Sequence, residues 1–575
     1  MSTDRVKPTT AAFAFLTVLN VALWGPSIRN AFVFDDLINI QRNGWIRDWA
    51  LLPQAFVHHA AGSDPGYHTS FYRPMMHVLY AVVYALAGPR PWAFHLLNVA
   101  LNLVAALAGY ALLKAALARW GAPGRYPYAP IMAAIIFSVH PIHTEPVLWV
   151  AGVTDLSYAT FGVLALIAYV RSFSRARLAP LAAGLLLMSL LSKETGVVIL
   201  LAMMACEWID ARRGTGWTAR AAAVRLAPSI GALGTYLALR LVALGSFAPS
   251  AAQHARQPVE LLSTAFALFA HYIGALAVPV RLTVMRPVPH AGGFGAPMAL
   301  AGLVVGALIA AAGYFGRRSV VIVLSLVFAV SPILPVLYTP AIESGGALFG
   351  ERYLYLSVLG VGLGVGCALE EARRRWRWGL PLLVGVMVVF VGWGAAEAVA
   401  RTRVWSSSLG LWTDAVSKAP ESAAANEGLC FALYGAGRFH EALTSCARAL
   451  ELDPNRADAR TNHANALLAL GRAREAKDEF DLALAVRPAS AEALVNRGLA
   501  LMMLGQPEEA MSSYRQALDV DPNFAEAHNV IGVALARSGQ RDAARAAFER
   551  AVRLDPENQE YRANLRAITG GGPRE

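Results

Sequence analysis

Residues 491–524 read AEALVNRGLALMMLGQPEEAMSSYRQALDVDPNF, and the pattern of this stretch repeats through the C-terminal part of the chain. Pro522 near its end has counterparts at 34-residue steps in Pro420, Pro454, Pro488 and Pro556. Gly505 returns as Gly437, Gly471 and Gly539, and Ala510 as Ala442, Ala476 and Ala544. Gly498 and Tyr514 are matched by Ala464 with Phe480, Gly532 with Phe548 and, in the first unit, Cys430 with Cys446.

A 34-residue period with these positions is the signature of the tetratricopeptide repeat, in which small residues let two helices approach and proline ends the second. The spacing predicts four repeats at 423–456, 457–490, 491–524 and 525–558. A half-repeat (406–421) precedes them and a capping helix runs to about Ala567, giving a domain of 405–569 with 570–575 as a disordered tail. In the first repeat two thiols replace a small residue plus a ring, at positions that face each other across the helix pair. Either they close as a disulfide in an oxidising compartment or they pack as small hydrophobes.

Toward the N-terminus the composition changes. The whole chain is 56% hydrophobic and 15% charged, against about a quarter charged in soluble domains, which excludes a chain soluble or disordered throughout. Residues 1–400 hold 16 acidic and 29 basic side chains, residues 401–575 hold 23 and 21. The basic excess therefore lies between apolar runs, where Lys and Arg orient membrane spans, and nucleic acid is not an expected partner. Four cysteines exclude a disulfide framework or a zinc motif, and Cys206 and Cys367 read as packing residues.

Span-length apolar segments start near residues 9, 92, 129, 154, 178, 195, 222, 296, 318, 351 and 378. If these eleven cross, 18 of the 29 basic residues share one face, the cytoplasmic one by the positive-inside rule. The first span, from about Ala11 to Trp24, reads as an uncleaved signal anchor. Tyr72–Gly88 and Val259–Leu282 break the alternation and read as helices on or dipping into the outer face. The expected fold is all-α: a polytopic helical bundle over 1–400, in the inner (plasma) membrane, followed by an exported repeat solenoid.

That outer face gathers Asp35, Asp36, Glu145, Asp155, Glu194 and Glu351, and charge beside a bilayer is functional or paired. Asp35 and Asp36, next to an apolar wall, suit a base that takes a proton from a hydroxyl; the plain alternative is a helix cap plus a surface acid. Asp35 is favoured as the more embedded in the apolar run. Arg73 offers a fork of donors to a phosphate, or snorkels to the interface. His95 and Asn98 share a helix face and read as buried interhelical contacts. His140 and His143 have the spacing of metal ligands, but Pro141 and Pro146 interrupt them and no third ligand is fixed, so a divalent metal stays open. Glu145 suits an acceptor or an ion. Asp155 opens a span, where capping is the alternative. Lys193 and Glu194 form either a mutual ion pair or a phosphate contact, and Arg352 either pairs with Glu351 or meets a lipid headgroup.

In this order FVFDD (Phe32–Asp36), FYRP (Phe71–Pro74), FHLLN (Phe94–Asn98), HPIHTE (His140–Glu145), TDLSYATF (Thr154–Phe161), SKETG (Ser192–Gly196) and ERYLYLSVLG (Glu351–Gly360) resemble motifs of multi-spanning glycosyltransferases of GT-C type. With the repeats, the resemblance is to the transmembrane and tetratricopeptide repeat-containing O-mannosyltransferases. It implies a polyprenyl-phosphate sugar donor, with mannose as the sugar, and an exported acceptor protein or peptide held by the repeats. Asp35 or Asp36 would match the first-loop catalytic acid and Asp155 the second. Transfer would invert the anomeric carbon. Arg73, Lys193 and Arg352 would stabilise the leaving phosphate, and His143, Glu145, Glu194 and Glu351 would line the substrates. The chain departs from the family in having Val153–Thr154–Asp155 where an Arg–Ala–Asp run is common, and in its short repeat array. Competing readings are a lipid-linked sugar transferase acting on a glycan or lipid, and a non-catalytic membrane-anchored scaffold; a transporter would need an internal duplication that is not evident.

Overall fold

The computed structural model describes residues 8–36, 39–40, 43–60, 71–121, 124–214, 216–245, 258–284, 286–287, 302, 314, 319–341, 348–556 and 558–570. It forms two compact units that divide between Leu411 and Trp412. Both are helical, apart from a two-residue antiparallel pairing of Arg286–Pro287 with Leu348–Phe349.

In the first unit, helices begin at or within a few residues of ten of the eleven expected span positions. The eleventh, from about 296, lies outside the described residues, as does the tail 571–575. Six described helices are long and apolar enough to cross a bilayer: Thr9–Arg29, Pro91–Trp120, Val150–Ser172, Ala219–Leu244, Val320–Leu337 and Gly379–Val404. Ala129–Val139 and Pro141–Leu148, bent by 49° at their junction, make a seventh if taken as one span. The chain is thus a multi-pass membrane protein. The two stretches expected to lie on or dip into the outer face form the helices Pro74–Ala87 and Pro258–Ala277.

Basic residues close the helices Pro91–Trp120, Val153–Ser172, Val197–Arg213 and Ser357–Arg375, where cations complement the helix dipole. Arg119 pairs with Asp210 at 2.8 Å and Arg225 with Glu207 at 2.7 Å. Glu370 accepts the backbone N–H groups of Tyr128 and Ala129, which open the helix Ala129–Val139. The same helices therefore carry the acidic and cationic loop motifs at their other ends. A buried polar chain holds that bundle in register. Asn20 donates to Ser138 Oγ (2.9 Å) and accepts from Asn102 (3.0 Å), whose Oδ1 accepts from Tyr355 (2.8 Å). Gly362 and Gly366, four apart on Ser357–Arg375, let that helix lie against Ala129–Val139: a Cβ at either would come within 3.0 Å of the backbone of Ala133 or Ala129. This is the small-residue contact by which membrane helices approach closely.

In the second unit the expected repeats are helix pairs: Ala423–Gly435 with Phe439–Leu452, Ala457–Ala469 with Ala473–Val486, Ala491–Met503 with Pro507–Val520, and Ala525–Arg537 with Arg541–Leu554, followed by Gln559–Thr569. The recurring turn glycines from Gly437 to Gly539 have φ between +73° and +80°, a region that glycine enters without penalty. The ring of each second helix lies on the small residue of the first: a Cβ on Gly498 would be 2.2 Å from the Tyr514 ring. In the first repeat Cys430 and Cys446 take these two places and are joined as a disulfide, with Cα atoms 5.2 Å apart, an ordinary separation for a bridge. Of the two readings of this pair, the bridge is the one formed.

Gly498→Ala should destabilise the repeat unit by about 1–3 kcal/mol through overpacking. Gly435→Ala, where a Cβ meets nothing within 4 Å, should be neutral or slightly stabilising. Thermal unfolding of the full chain in detergent, followed by far-UV circular dichroism, checks the contrast.

Candidate active site

The site begins where the chain leaves its first helix. Asn30 donates to the carbonyl of Trp405 (3.3 Å) and Ala31 N–H to that of Ser406 (3.4 Å), so the segment after Gly379–Val404 clamps the first loop. Phe32 packs edge-on against Phe94 with centroids 5.6 Å apart. Phe34 then has φ +56°, a left-handed conformation that costs a non-glycine residue roughly 1–2 kcal/mol. The cost is offset by what the turn brings about. Asp36 N–H donates to the Val33 carbonyl, Asp36 Oδ2 accepts from Val33 N–H (3.1 Å), and Oδ1 accepts from Ala151 N–H (3.0 Å).

Asp36 is therefore fully buried and its carboxylate oxygens are taken up by backbone. Asp35 is turned the other way, half-buried, with Oδ1 accepting from Trp149 Nε1–H at 3.0 Å. Burial pushes the Asp35 carboxyl up to about 6, against the opposing pull of Arg352 and the Trp149 bond. Burial and the adjacent Asp35 charge push Asp36 well above the carboxylate range. The ground expected for favouring Asp35, its embedding in the apolar run, is reversed: Asp36 is the embedded one and Asp35 the more accessible.

Trp149 leads on to the cations. Its carbonyl accepts from Asn98 at 2.7 Å, so Asn98 ties its helix to the extended residue that follows Pro141–Leu148 rather than to a second helix. Over its ring lies the Arg352 guanidinium, 5.2 Å from the centroid. Arg352 forms a close ion pair with Glu145, whose other oxygen accepts Arg352 N–H at 2.9 Å. Tyr353 carries Arg352 on one side (4.9 Å) and the Lys193 ammonium on another (4.4 Å). Lys193 meets Asp155 at 2.5 Å, with both side chains nearly inaccessible. Burial lowers the Lys193 ammonium to about 8; Asp155 counters this, while Arg73 and Arg352 add to it. Arg73, stacked on Phe71 at 4.2 Å, holds Glu194 by two nitrogens at 2.9 and 3.4 Å. Burial would raise Glu194, but the Arg73 guanidinium outweighs it and holds the carboxyl at about 2.

Seven expected residues thus come together: Asp35, Glu145, Arg352, Asp155, Lys193, Arg73 and Glu194. Their pairing differs from the neighbour-to-neighbour pairs. Lys193 and Glu194 face different partners, because Lys193 is fully extended (φ −161°, ψ 140°) and successive side chains diverge. Arg352 pairs with Glu145 rather than Glu351, whose Oε1 accepts Thr283 N–H and which lies 4.0 Å from Arg401. Asp155 does not cap its helix; it neutralises Lys193. His143 is not brought to the charges: it bonds the Tyr355 carbonyl at 3.2 Å and packs on Phe137. Among the described residues no group of three His, Cys, Asp or Glu is placed to hold a metal ion. Trp149 and Tyr353 were not anticipated; an aromatic at a membrane boundary is too common to single out either. The arrangement combines a proton acceptor near neutrality with three cations, the requirements for removing a hydroxyl proton and holding an anionic leaving group.

The family model for "Tetratricopeptide repeat" matches residues 433–497 and 501–568. The chain is also similar to proteins named protein O-mannosyl-transferases. It is 31% identical to TMTC2 of Mus musculus, over 32% of this chain and 22% of that one. It is 31% identical to TMTC4 of Homo sapiens (30% and 25%) and 29% identical to Tmtc1 of Drosophila melanogaster (34% and 22%). The match thus spans about a quarter of the length of these curated relatives. Among solved structures, a thermophilic tetratricopeptide-repeat protein of Thermus thermophilus, TTC0263, is 22% identical over 33% of this chain and 97% of its own, with a TM-score of 0.27.

Trp149→Phe keeps a ring beneath Arg352 and removes the N–H that stabilises the charged form of Asp35. Activity should fall roughly 10-fold, the scale of one hydrogen bond to a charged group. Because the lost bond favoured ionisation, the acid limb of the pH profile should move upward from near pH 6. The kcat/KM profile of the variant checks both.

Proposed function

We propose that this chain is a membrane glycosyltransferase that moves mannose from a polyprenyl-phosphate donor to Ser or Thr hydroxyls of exported proteins, with inversion. The observation that carries the reading is Asp35: a half-buried carboxyl raised to about 6 and acted on by Arg352, which Tyr353 links to Lys193, in a chain similar to proteins named protein O-mannosyl-transferases. Asp35 takes the acceptor's proton as the oxygen attacks the anomeric carbon opposite the phosphate, and Arg73, Lys193 and Arg352 stabilise the charge that grows on the leaving phosphate. Asp155 and Glu145 hold two of those cations in place. Asp36 shapes the turn that presents Asp35. The repeats, whose helix pairs stack into a surface suited to extended peptide, hold the acceptor.

The active face and the repeats are proposed to lie on the extracytoplasmic side. Two observations support this: the basic helix ends gather opposite the site, and Cys430–Cys446 is a disulfide, a bond of oxidising compartments.

Incubation of membranes with labelled polyprenyl-phosphate mannose tests the activity: label should enter protein. Label only in lipid or glycan would move the reading to that acceptor class, and none at all would favour a scaffold. Asp35→Asn should lower turnover at least about 100-fold with an unchanged melting temperature. Asp36→Asn should lower the melting temperature itself, because an amide nitrogen would face a backbone N–H. For the orientation, Thr569→Cys should react with an impermeant thiol reagent from the outside of sealed, right-side-out vesicles, and Ser174→Cys should not.

A further inference from the structure

On the transferase reading, the donor's phosphate must reach cations that are already paired. The three pairs differ in what opening them requires. Asp155 is 2% exposed and Glu145 1%, so a cation leaving either would strand a buried carboxylate, a strongly unfavourable step. Glu194 is 31% exposed and its partner Arg73 17%. Its carboxylate can turn into water, so this pair opens at less cost than the two whose acids are buried.

We infer that Glu194 is an internal competitor for the donor phosphate: its carboxylate fills the Arg73 fork by the same two-point contact that a phosphate makes, and phosphate and carboxylate exchange there. The fork is in the right form for this exchange. Arg73 is fixed from below by Phe71 and presents Nε and Nη2 side by side to Glu194, and planar two-nitrogen presentation serves carboxylate and phosphate alike. Glu194 is ionised throughout the working pH range, so it competes as an anion at every pH where Asp35 acts as a base. The charge also balances. A sugar phosphodiester carries one negative charge, so entry replaces one anion by another and leaves the site's net charge unchanged. After transfer the polyprenyl phosphate gains a second ionisable oxygen and binds the fork more strongly. The returning Glu194 carboxylate then favours its release.

This inference rests on the transferase reading, and the test separates the two. Polyprenyl monophosphate is titrated into the full chain in lipid nanodiscs, with the uncharged polyprenol as control for partition into lipid. Glu194→Gln and Glu194→Ala should each bind the phosphate roughly 10-fold more tightly than wild type, and Arg73→Gln at least about 10-fold more weakly. In the Arg73→Gln background, Glu194→Gln should add no gain. Weaker binding by both Glu194 variants would make Glu194 an orienting partner of Arg73, and unchanged binding would place the phosphate elsewhere; either result overturns the inference while leaving the transferase reading intact. Wild type that binds the phosphate no better than the polyprenol would overturn both.

Discussion

A lysine ammonium buried to the last hundredth of its side chain needs a counter-charge, and Asp155 supplies it to Lys193 at 2.5 Å. The rest of the site is arranged around that need. Lys193 follows one helix and Asp155 opens another, so the pair fixes the ends of two packed helices to each other. Ser189, one turn before Lys193, donates to the carbonyl of Tyr158, one turn after Asp155 (2.8 Å), which sets the same register by a neutral bond. With Lys193 fixed, Tyr353 has a cation on one side and places Arg352 on another, and Arg352 in turn reaches Glu145 and the face of Trp149. Along this path two cations face each other across Tyr353, and each has its own buried acid behind it. Removing one member strands its neighbour in low dielectric, where unpaired charge is far more costly than a lost surface pair.

The acid and the cations are carried by different backbone solutions. The cations stand on helix ends, where geometry is rigid. Asp35 stands on a turn whose shape depends on a left-handed Phe34 and on a neighbour, Asp36, whose carboxylate is used up in holding the turn to Ala151. One carboxylate is structural so that the other can remain half-open. Two adjacent acids with such unequal surroundings are expected to titrate apart, which is how a site gains a base near neutrality from an ordinary aspartate.

The repeats were legible because their constraint is local and periodic: a left-handed turn needs glycine at Gly437, Gly471, Gly505 and Gly539, and a ring above a small residue needs both at fixed spacing. Membrane helices were legible from length and apolarity. What could not be read was pairing. Arg352 and Glu145 lie 207 residues apart, Arg73 and Glu194 lie 121 apart, and nothing in a linear pattern distinguishes them from nearer candidates such as Glu351 or Lys193. Adjacency misleads wherever the chain is extended, since neighbours then point apart. The choice between Asp35 and Asp36 had the same difficulty: apolar neighbours in sequence do not indicate which side chain the turn folds inward.

The disulfide in the first repeat gives the array a direction. In a linear stack each repeat is held by its own packing and by its neighbours alone. The first repeat along the chain has its two helices joined covalently across 16 residues, a closure worth about 3 kcal/mol in a chain-entropy account; the later ones rely on Phe480, Tyr514 and Phe548 resting on small residues. Local opening is therefore rarest beside the bridge: the first repeat stays stitched when a later helix pair, held by packing alone, comes apart.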